Sequence, residues 1–208
     1  MSPARQTRAK RLGILLSGRG SNFLAIHNAI AEGRLPDAEI AVVLSNKADA
    51  PGLVAARELG LPAHHIPVAG RSPVERDLEF VARLKQYEVD LVCLAGYMRI
   101  ISPQFVEAFP NQILNVHPSL LPSFPGLDAQ RQALESGSKI AGCTVHFVDE
   151  VMDHGVIILQ HAVPVLDDDT EDTLSARILV EEHKAYPEAI RRVLSGEYEV
   201  RGRRFVKS

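Results

Sequence analysis

Apolar runs and helical patterns alternate through the first half of the chain, and this alternation limits the fold more than any other feature. Leu12–Ser17, Glu39–Leu44, His64–Val68 and Val89–Leu94 are short apolar runs that read as buried strands. Between the first two, Phe23, Leu24, Ile26, His27 and Ile30 recur at helical spacing. A second helix is expected over Pro51–Leu59, closed by Gly60, and a third from Arg71-Ser72-Pro73 to about Tyr87. The order β-α-β-α-β-α-β is the signature of a doubly wound, mostly parallel sheet. Such sheets take ligands at the carboxyl ends of their strands.

The second half departs from strict alternation. Ser102-Pro103 opens a short helix, with Ser as N-cap and Pro in the first turn. Ile113–His117 is an apolar strand that must stop at Pro118. A proline-rich loop follows to Leu127; Asp128 is then expected to cap a helix to Glu135, ended by Gly137. Gly142–Val148 and Val156–Val165 read as two strands joined by the acidic turn Asp149–Gly155, an antiparallel hairpin added to the sheet. The acidic stretch Asp167–Asp172 is expected to be solvated, and Thr173–Leu194 to form one long helix containing Pro187. Mid-helix charges such as Glu181, Glu182 and His183 usually face water. Tyr198–Val206 reads as a basic, hairpin-like tail.

A chain of 208 residues fits one medium domain, and neither repeats nor a low-complexity linker divide it. The net charge of −3 argues against nucleic acid as the main partner. Apolar runs stay well short of a membrane span. The first ten residues are basic and read as a flexible leader rather than a targeting signal, which makes the cytoplasm the expected setting. Cys93 and Cys143 lie in strand-like segments and read as small core residues. His64 and His65 lack a partner at ligand spacing, so no metal is expected.

Four stretches fall where ligands would bind. Gly18-Arg19-Gly20-Ser21-Asn22 joins a strand to a helix start, an arrangement that aims backbone N–H groups at an anion. Phe23 stands where a dinucleotide fingerprint needs glycine or alanine, which favours one phosphate monoester; a tight turn with Ser21 or Asn22 as a helix cap is the competing reading. Met98, Arg99, Ile100 and Ile101 would suit a flat heteroaromatic ligand with an anionic end, or ordinary packing with a surface arginine. Asn115 and His117 lie two apart on a strand and share a face. An amide donor beside an imidazole can stabilise an oxyanion and move a proton; a capping Asn and a loop His are the plain alternative. Asp153 is either a solvated turn residue or a partner for that imidazole.

At Asn115-x-His117-Pro-Ser-Leu-Leu-Pro122 the sequence resembles the folate-dependent formyltransferase family. The resemblance extends over residues 12–190. It takes in Ser17-Gly-Arg-Gly-Ser-Asn22, Ser45-Asn-Lys-Ala-Asp49, Ala95-Gly-Tyr-Met-Arg-Ile-Ile-Ser102, Gln132-Ala-Leu-Glu-Ser-Gly137, Thr144-Val-His-Phe-Val148, Asp153-x-Gly155, Ile158-Leu-Gln160 and Glu182-His-x-x-Tyr-Pro187. It implies a Rossmann-like formyltransferase fold in a single domain, with ribotide phosphate binding in residues 11–110 and catalysis and folate binding in residues 111–208. The implied reaction moves the formyl group of 10-formyltetrahydrofolate to the amine of 5'-phosphoribosylglycinamide, with no metal. Asn115, His117 and Asp153 would be the catalytic set, Asp153 favouring the charged imidazole and placing a water. Gly20, Ser21 and Asn22 would hold the phosphate, and Leu179, Val180, Glu181 and Glu182 would line the ribose end. Arg71, Met98 to Ile101, Asn115, and the loop Asp149, Glu150, Val151, Met152 and Asp153 would meet the folate. Arg19 in the glycine turn and Asp128-Ala129-Gln130 depart from the family pattern without touching the core assignment. Formyltetrahydrofolate hydrolase, methionyl-tRNA formyltransferase and a folate binder without turnover are the alternatives. Small-molecule substrates are the expected partners, and a homodimer is left open.

Overall fold

Strand β1 (Lys10–Leu16) sends Leu12, Ile14 and Leu16 to one face and Leu15 to the other, all fully buried. A strand apolar on both faces needs cover on both, and here it sits inside the sheet. The computed structural model describes residues 8–208. The basic leader falls mainly on residues 1–7, outside the described residues, while Lys10 and Arg11 already belong to β1. The other strands are β2 (Ala38–Ser45), β3 (Ala63–His65), β4 (Leu91–Leu94), β5 (Ile113–His117), β6 (Ile140–Phe147) and β7 (Ile157–Pro164). They form one sheet in the order β3-β2-β1-β4-β5-β6-β7. Pairing is parallel from β3 through to β5, then antiparallel at β5–β6 and β6–β7. The doubly wound sheet with its antiparallel hairpin is as expected. β3 is shorter than the run His64–Val68: the Ile66 N–H still reaches the Ser45 carbonyl (2.8 Å), and Pro67, which has no N–H, ends the pairing.

Helices α1 (Ser21–Ala31), α2 (Pro51–Glu58), α5 (Ala129–Glu135) and α6 (Glu171–Leu194) pack on one face. Helices α3 (Pro73–Gln86) and α4 (Pro103–Ala108) cover the other. α6 lays Leu174, Ile178, Ala185, Tyr186, Ala189 and Ile190 against the sheet, and the Tyr186 hydroxyl reaches the carbonyls of Leu94 and Leu114 (3.2 and 3.0 Å). That hydroxyl ties the carboxyl end of β4 to the middle of β5. Strands β8 (Tyr198–Arg201) and β9 (Arg204–Lys207) make the expected tail hairpin as a separate two-stranded sheet.

Caps decide where several helices begin. Ser72 accepts from the Glu75 N–H while the Glu75 carboxylate takes the Ser72 N–H, a reciprocal cap for α3. Ser102 and Asp128 occupy N-cap positions but make no side-chain cap. The Ser102 N–H is taken by Asp77 (2.6 Å), and Asp128, left-handed at φ 56°, pairs with Arg131. The acidic stretch before α6 is not uniformly solvated either. Asp169 is held by the Arg177 guanidinium (2.6 and 2.8 Å), which keeps its carboxyl well below the usual range.

Candidate active site

The order in which the strands are laid down reverses between β1 and β4, and the crevice at their carboxyl ends is the switch point of this fold. Ser17, just past β1, joins its walls: its hydroxyl donates to Asn46 (2.6 Å) and accepts the Met98 N–H (2.9 Å). Beyond it, Gly20 precedes α1 with φ 76°, the left-handed region open to glycine. A Cβ on Gly20 would lie 2.8 Å from Gly52 Cα, and the Gly52 N–H donates to the Gly18 carbonyl (3.0 Å). Two glycine backbones therefore press together and fix the turn. Neither Ser21 nor Asn22 caps α1. Asn22 turns inward instead and donates from Nδ2 to Glu182 Oε2 of α6 (2.7 Å), across 160 positions of sequence.

Glu182 is only 8% exposed, so it does not face water as mid-helix charges usually do. Burial lifts its carboxyl from 4.5 to about 7, and the Asn22 hydrogen bond opposes the rise. The folded chain thus holds this proton between pH 4.5 and 7, where the unfolded chain has lost it. This contribution to stability is full below pH 4.5 and declines until about pH 7. Glu182→Gln removes the decline. Urea unfolding should find the variant on the order of 3 kcal/mol more stable than the parent above pH 7 and close to it below pH 5. An equal gain at both pH values would rule out ionisation as the cause.

The four neighbours Leu179 to Glu182 span one helical turn and point apart. Glu182 reaches α1, Glu181 pairs with His161 of β7 (2.9 Å), and Val180 is 54% exposed on the outer face beside His183, Lys184 and Arg34. The hydrogen bond to the glycine turn comes from Glu182.

Past β4, the loop 95–101 is held from behind by a buried pair on α3. Arg76 Nε donates to Asp77 (2.7 Å), Arg76 Nη2 donates to the Ile100 carbonyl (3.0 Å), and Tyr97 packs edge-on against Phe80 (5.6 Å). Met98 and Ile100 are left 72% and 75% exposed at the mouth, with Arg99 between them. Large apolar side chains held out by a rigid backing suit a ligand surface. Arg71, at the start of α3, forms an ion pair with Glu79.

Strand β5 is the seam between the parallel and antiparallel halves. Leu114 and Val116 face α6, so Asn115 and His117 lie on the opposite face, beyond the reach of short α4. In the β5–β6 ladder His146 stands directly opposite Asn115, and Thr144 opposite His117. Directly opposed residues share a face. Asn115 Nδ2 lies 3.3 Å from His146 Nε2. The His146 Nδ1–H donates to the Phe147 carbonyl (2.7 Å), and burial lowers its pKa. A neutral ring with Nδ1 protonated offers only a lone pair at Nε2. That lone pair fixes which end of the Asn115 amide turns toward it and leaves the second N–H free for a ligand.

The β6–β7 loop supplies the carboxylate. β6 ends at Phe147, opposite Leu114, so the loop leaves from the far end of the hairpin and folds back over the uncovered face. Asp153, left-handed at φ 54°, comes to rest with Oδ2 3.4 Å from His117 Nδ1 and Oδ1 3.8 Å from His146 Nε2. Its Oδ2 also accepts the Gly126 N–H (2.8 Å) from the proline-rich loop. His117 Nε2–H donates to the Phe124 carbonyl (2.9 Å), which leaves Nδ1 for proton traffic. The structure therefore brings Asn115, His117 and Asp153 together. It adds His146, which the sequence reading passed over although Thr144-Val145-His146 alternates on the strand opposite. Among the described residues no group of three His, Cys, Asp or Glu could hold a metal ion, and no helix is long and apolar enough to cross a membrane.

A switch-point crevice in a doubly wound sheet, with an amide and a carboxylate-backed imidazole at a strand end, is the arrangement of an α/β enzyme and has the groups that can move a proton beside developing negative charge. The chain belongs to the formyl transferase family, whose model matches residues 10–190. Phosphoribosylglycinamide formyltransferase of Escherichia coli strain K12 is 44% identical over 175 residues, covering 84% of this chain and 82% of that protein. The trifunctional purine biosynthetic protein adenosine-3 of Drosophila melanogaster is 46% identical over 193 residues, 91% of this chain. This chain spans 14% of that longer relative's length. Among solved structures, glycinamide ribonucleotide transformylase 1 of Symbiobacterium toebii superposes with a TM-score of 0.94 at 53% identity, covering 97% of this chain and 95% of that one.

Proposed function

We propose that the protein transfers the formyl group of 10-formyltetrahydrofolate to the amine of 5'-phosphoribosylglycinamide, giving formylglycinamide ribonucleotide and tetrahydrofolate in purine synthesis. The observation that carries this reading is the constellation of Asn115, His117 and Asp153 at the carboxyl end of β5, in a member of this family. The glycinamide amine attacks the formyl carbon and forms a C–N bond, sending the carbonyl electrons to oxygen. The free Asn115 N–H meets that oxyanion, and the His117 ring joins it once Nδ1 carries the proton of the attacking amine. The attacking nitrogen loses a proton through His117 and Asp153, and the N10 amine leaves with a proton as the oxyanion collapses. The nucleophile is the substrate's own amine, so no covalent enzyme intermediate is needed.

Binding roles follow the same reading. The N–H groups of Gly20, Ser21 and Asn22 would take the phosphate, and Glu182 would hold the ribose hydroxyls beside them. Met98, Ile100, Val151 and Met152 would embrace the pterin, with Arg71 released from Glu79 to meet the glutamate tail. A cytoplasmic setting belongs to this proposal, and sedimentation would decide for or against a homodimer.

The test is release of tetrahydrofolate from 10-formyltetrahydrofolate with and without glycinamide ribonucleotide. Release only with the ribotide is expected. Equal release without it would make the protein a hydrolase, and folate binding without turnover a binding protein.

A further inference from the structure

The loop that carries Asp153 has little of its own to hold it. Val151 and Met152 are 57% and 58% exposed, and Glu150 is exposed too. Within the loop, the Val151 N–H donates to the Asp149 carboxylate (2.9 Å) and the His154 N–H to the Val151 carbonyl (3.3 Å). Segments with so few buried contacts open at low free-energy cost.

A second anchor comes from the tail. Arg203, at the turn between β8 and β9, donates from Nη2 to the His154 carbonyl (2.7 Å), and its Nη1 lies 2.7 Å from His154 Nε2. His154 Nδ1 in turn lies 3.0 Å from Asp149 Oδ2. The chain Arg203–His154–Asp149 thus closes across both ends of the loop. The hairpin that presents Arg203 is itself seated. Phe205 stacks on Tyr198 (5.1 Å) and meets Phe147 edge-on (5.8 Å), and Arg192 of α6 lies over the Tyr198 ring (6.0 Å). Phe147 is the last residue of β6, from which the loop departs.

We propose that the β8–β9 hairpin straps down the loop that places Asp153, and that Arg203 is the positioning residue at its tip. Exposed ion pairs alone contribute little. Arg203 differs in holding a backbone carbonyl, from a packed element, on a segment with few other ties. Its loss should therefore loosen the loop without unfolding the domain.

The experiment is Arg203→Ala in the full chain, with Arg203→Lys beside it. Hydrogen exchange of the amides from 149 to 155 is expected to quicken about tenfold in the Ala variant, with the sheet and thermal midpoint unchanged. The KM for the formyl donor should rise about tenfold and kcat should fall, while the KM for the ribotide stays put. Lys, which keeps the charge but lacks the planar fork that reaches the His154 carbonyl and ring together, should fall between. Parental loop exchange in the Ala variant would overturn the proposal. So would a uniform rise in exchange with a lowered midpoint, which would make the hairpin a general stabiliser. The kinetic arm rests on the function proposed above, whereas the exchange arm does not. A local rise in exchange in a protein whose parent transfers no formyl group would leave the strap standing and remove that function.

Discussion

A His117→Ala variant should fold, bind both substrates within a few-fold of the parent, and lose about a thousandfold in kcat. The ring touches three things the reaction needs. Its Nδ1 faces Asp153, its Nε2 ties the proline-rich loop through Phe124, and its face stands two residues from Asn115 on the same strand. On the proposed mechanism, alanine removes the proton carrier and one of the two groups that meet the oxyanion. The lost hydrogen bond to Phe124 costs about 1 kcal/mol of stability, small against a whole domain. Circular dichroism and a thermal midpoint establish folding, and single-turnover formyl transfer then isolates the chemical step. A kcat within tenfold of the parent would take His117 out of proton transfer and leave it as a prop for the loop.

Gly155→Ala should cost about a hundredfold in kcat by a different route, through the path of the loop. A Cβ on Gly155 would stand 1.8 Å from the Phe147 carbonyl oxygen and 2.7 Å from its carbon. Both are backbone atoms at the root of the hairpin, so no flexible side chain can yield. The returning strand must move by more than 1 Å, and Asp153, two residues upstream, moves with it. Its 3.4 Å approach to His117 is already long. The formyl donor's KM should rise as well, while the ribotide's KM is spared, because Gly20 to Asn22 and Glu182 belong to other elements. Parental kinetics in a folded Gly155→Ala protein would mean that the position of Asp153 does not depend on where the loop returns.

What the sequence made legible divides along physical lines. Strands buried on both faces announce themselves as continuous apolar runs, and β1, β2, β4 and β5 came through with bounds shifted by a residue or two. Helix starts were harder. Ser102, Asp128 and Asn22 each carry a capping chemistry, yet other partners took their backbone groups or their side chains. Ser72, with Glu75 three positions on, and Thr170, with Thr173, also had a reciprocal partner at the right spacing. In the site, Asn115 and His117 were readable because a two-residue spacing fixes their common face. His146 needed the strand register, and the Asn22–Glu182 contact needed the packing of α1 on α6. The fold-back of the loop was hidden for a further reason. A hairpin reads from sequence as a turn past the sheet's edge, and only the register at Leu114–Phe147 shows the return over the face.

The tight approach of Gly20 to Gly52 has a consequence for how the two ligands share the work of assembling the site. The glycine turn is clamped by backbone against backbone before any ligand arrives, so on the proposed function the ribotide would lose little binding energy to ordering its cradle. The donor must settle a loop with more than half of Val151 and Met152 in water, and part of its affinity goes into that settling. One half of the crevice works as a lock and the other as a latch. Ligands shaped for the lock should gain little from greater rigidity in the protein, whereas ligands that reach the latch should gain affinity from anything that holds 149–155 closed.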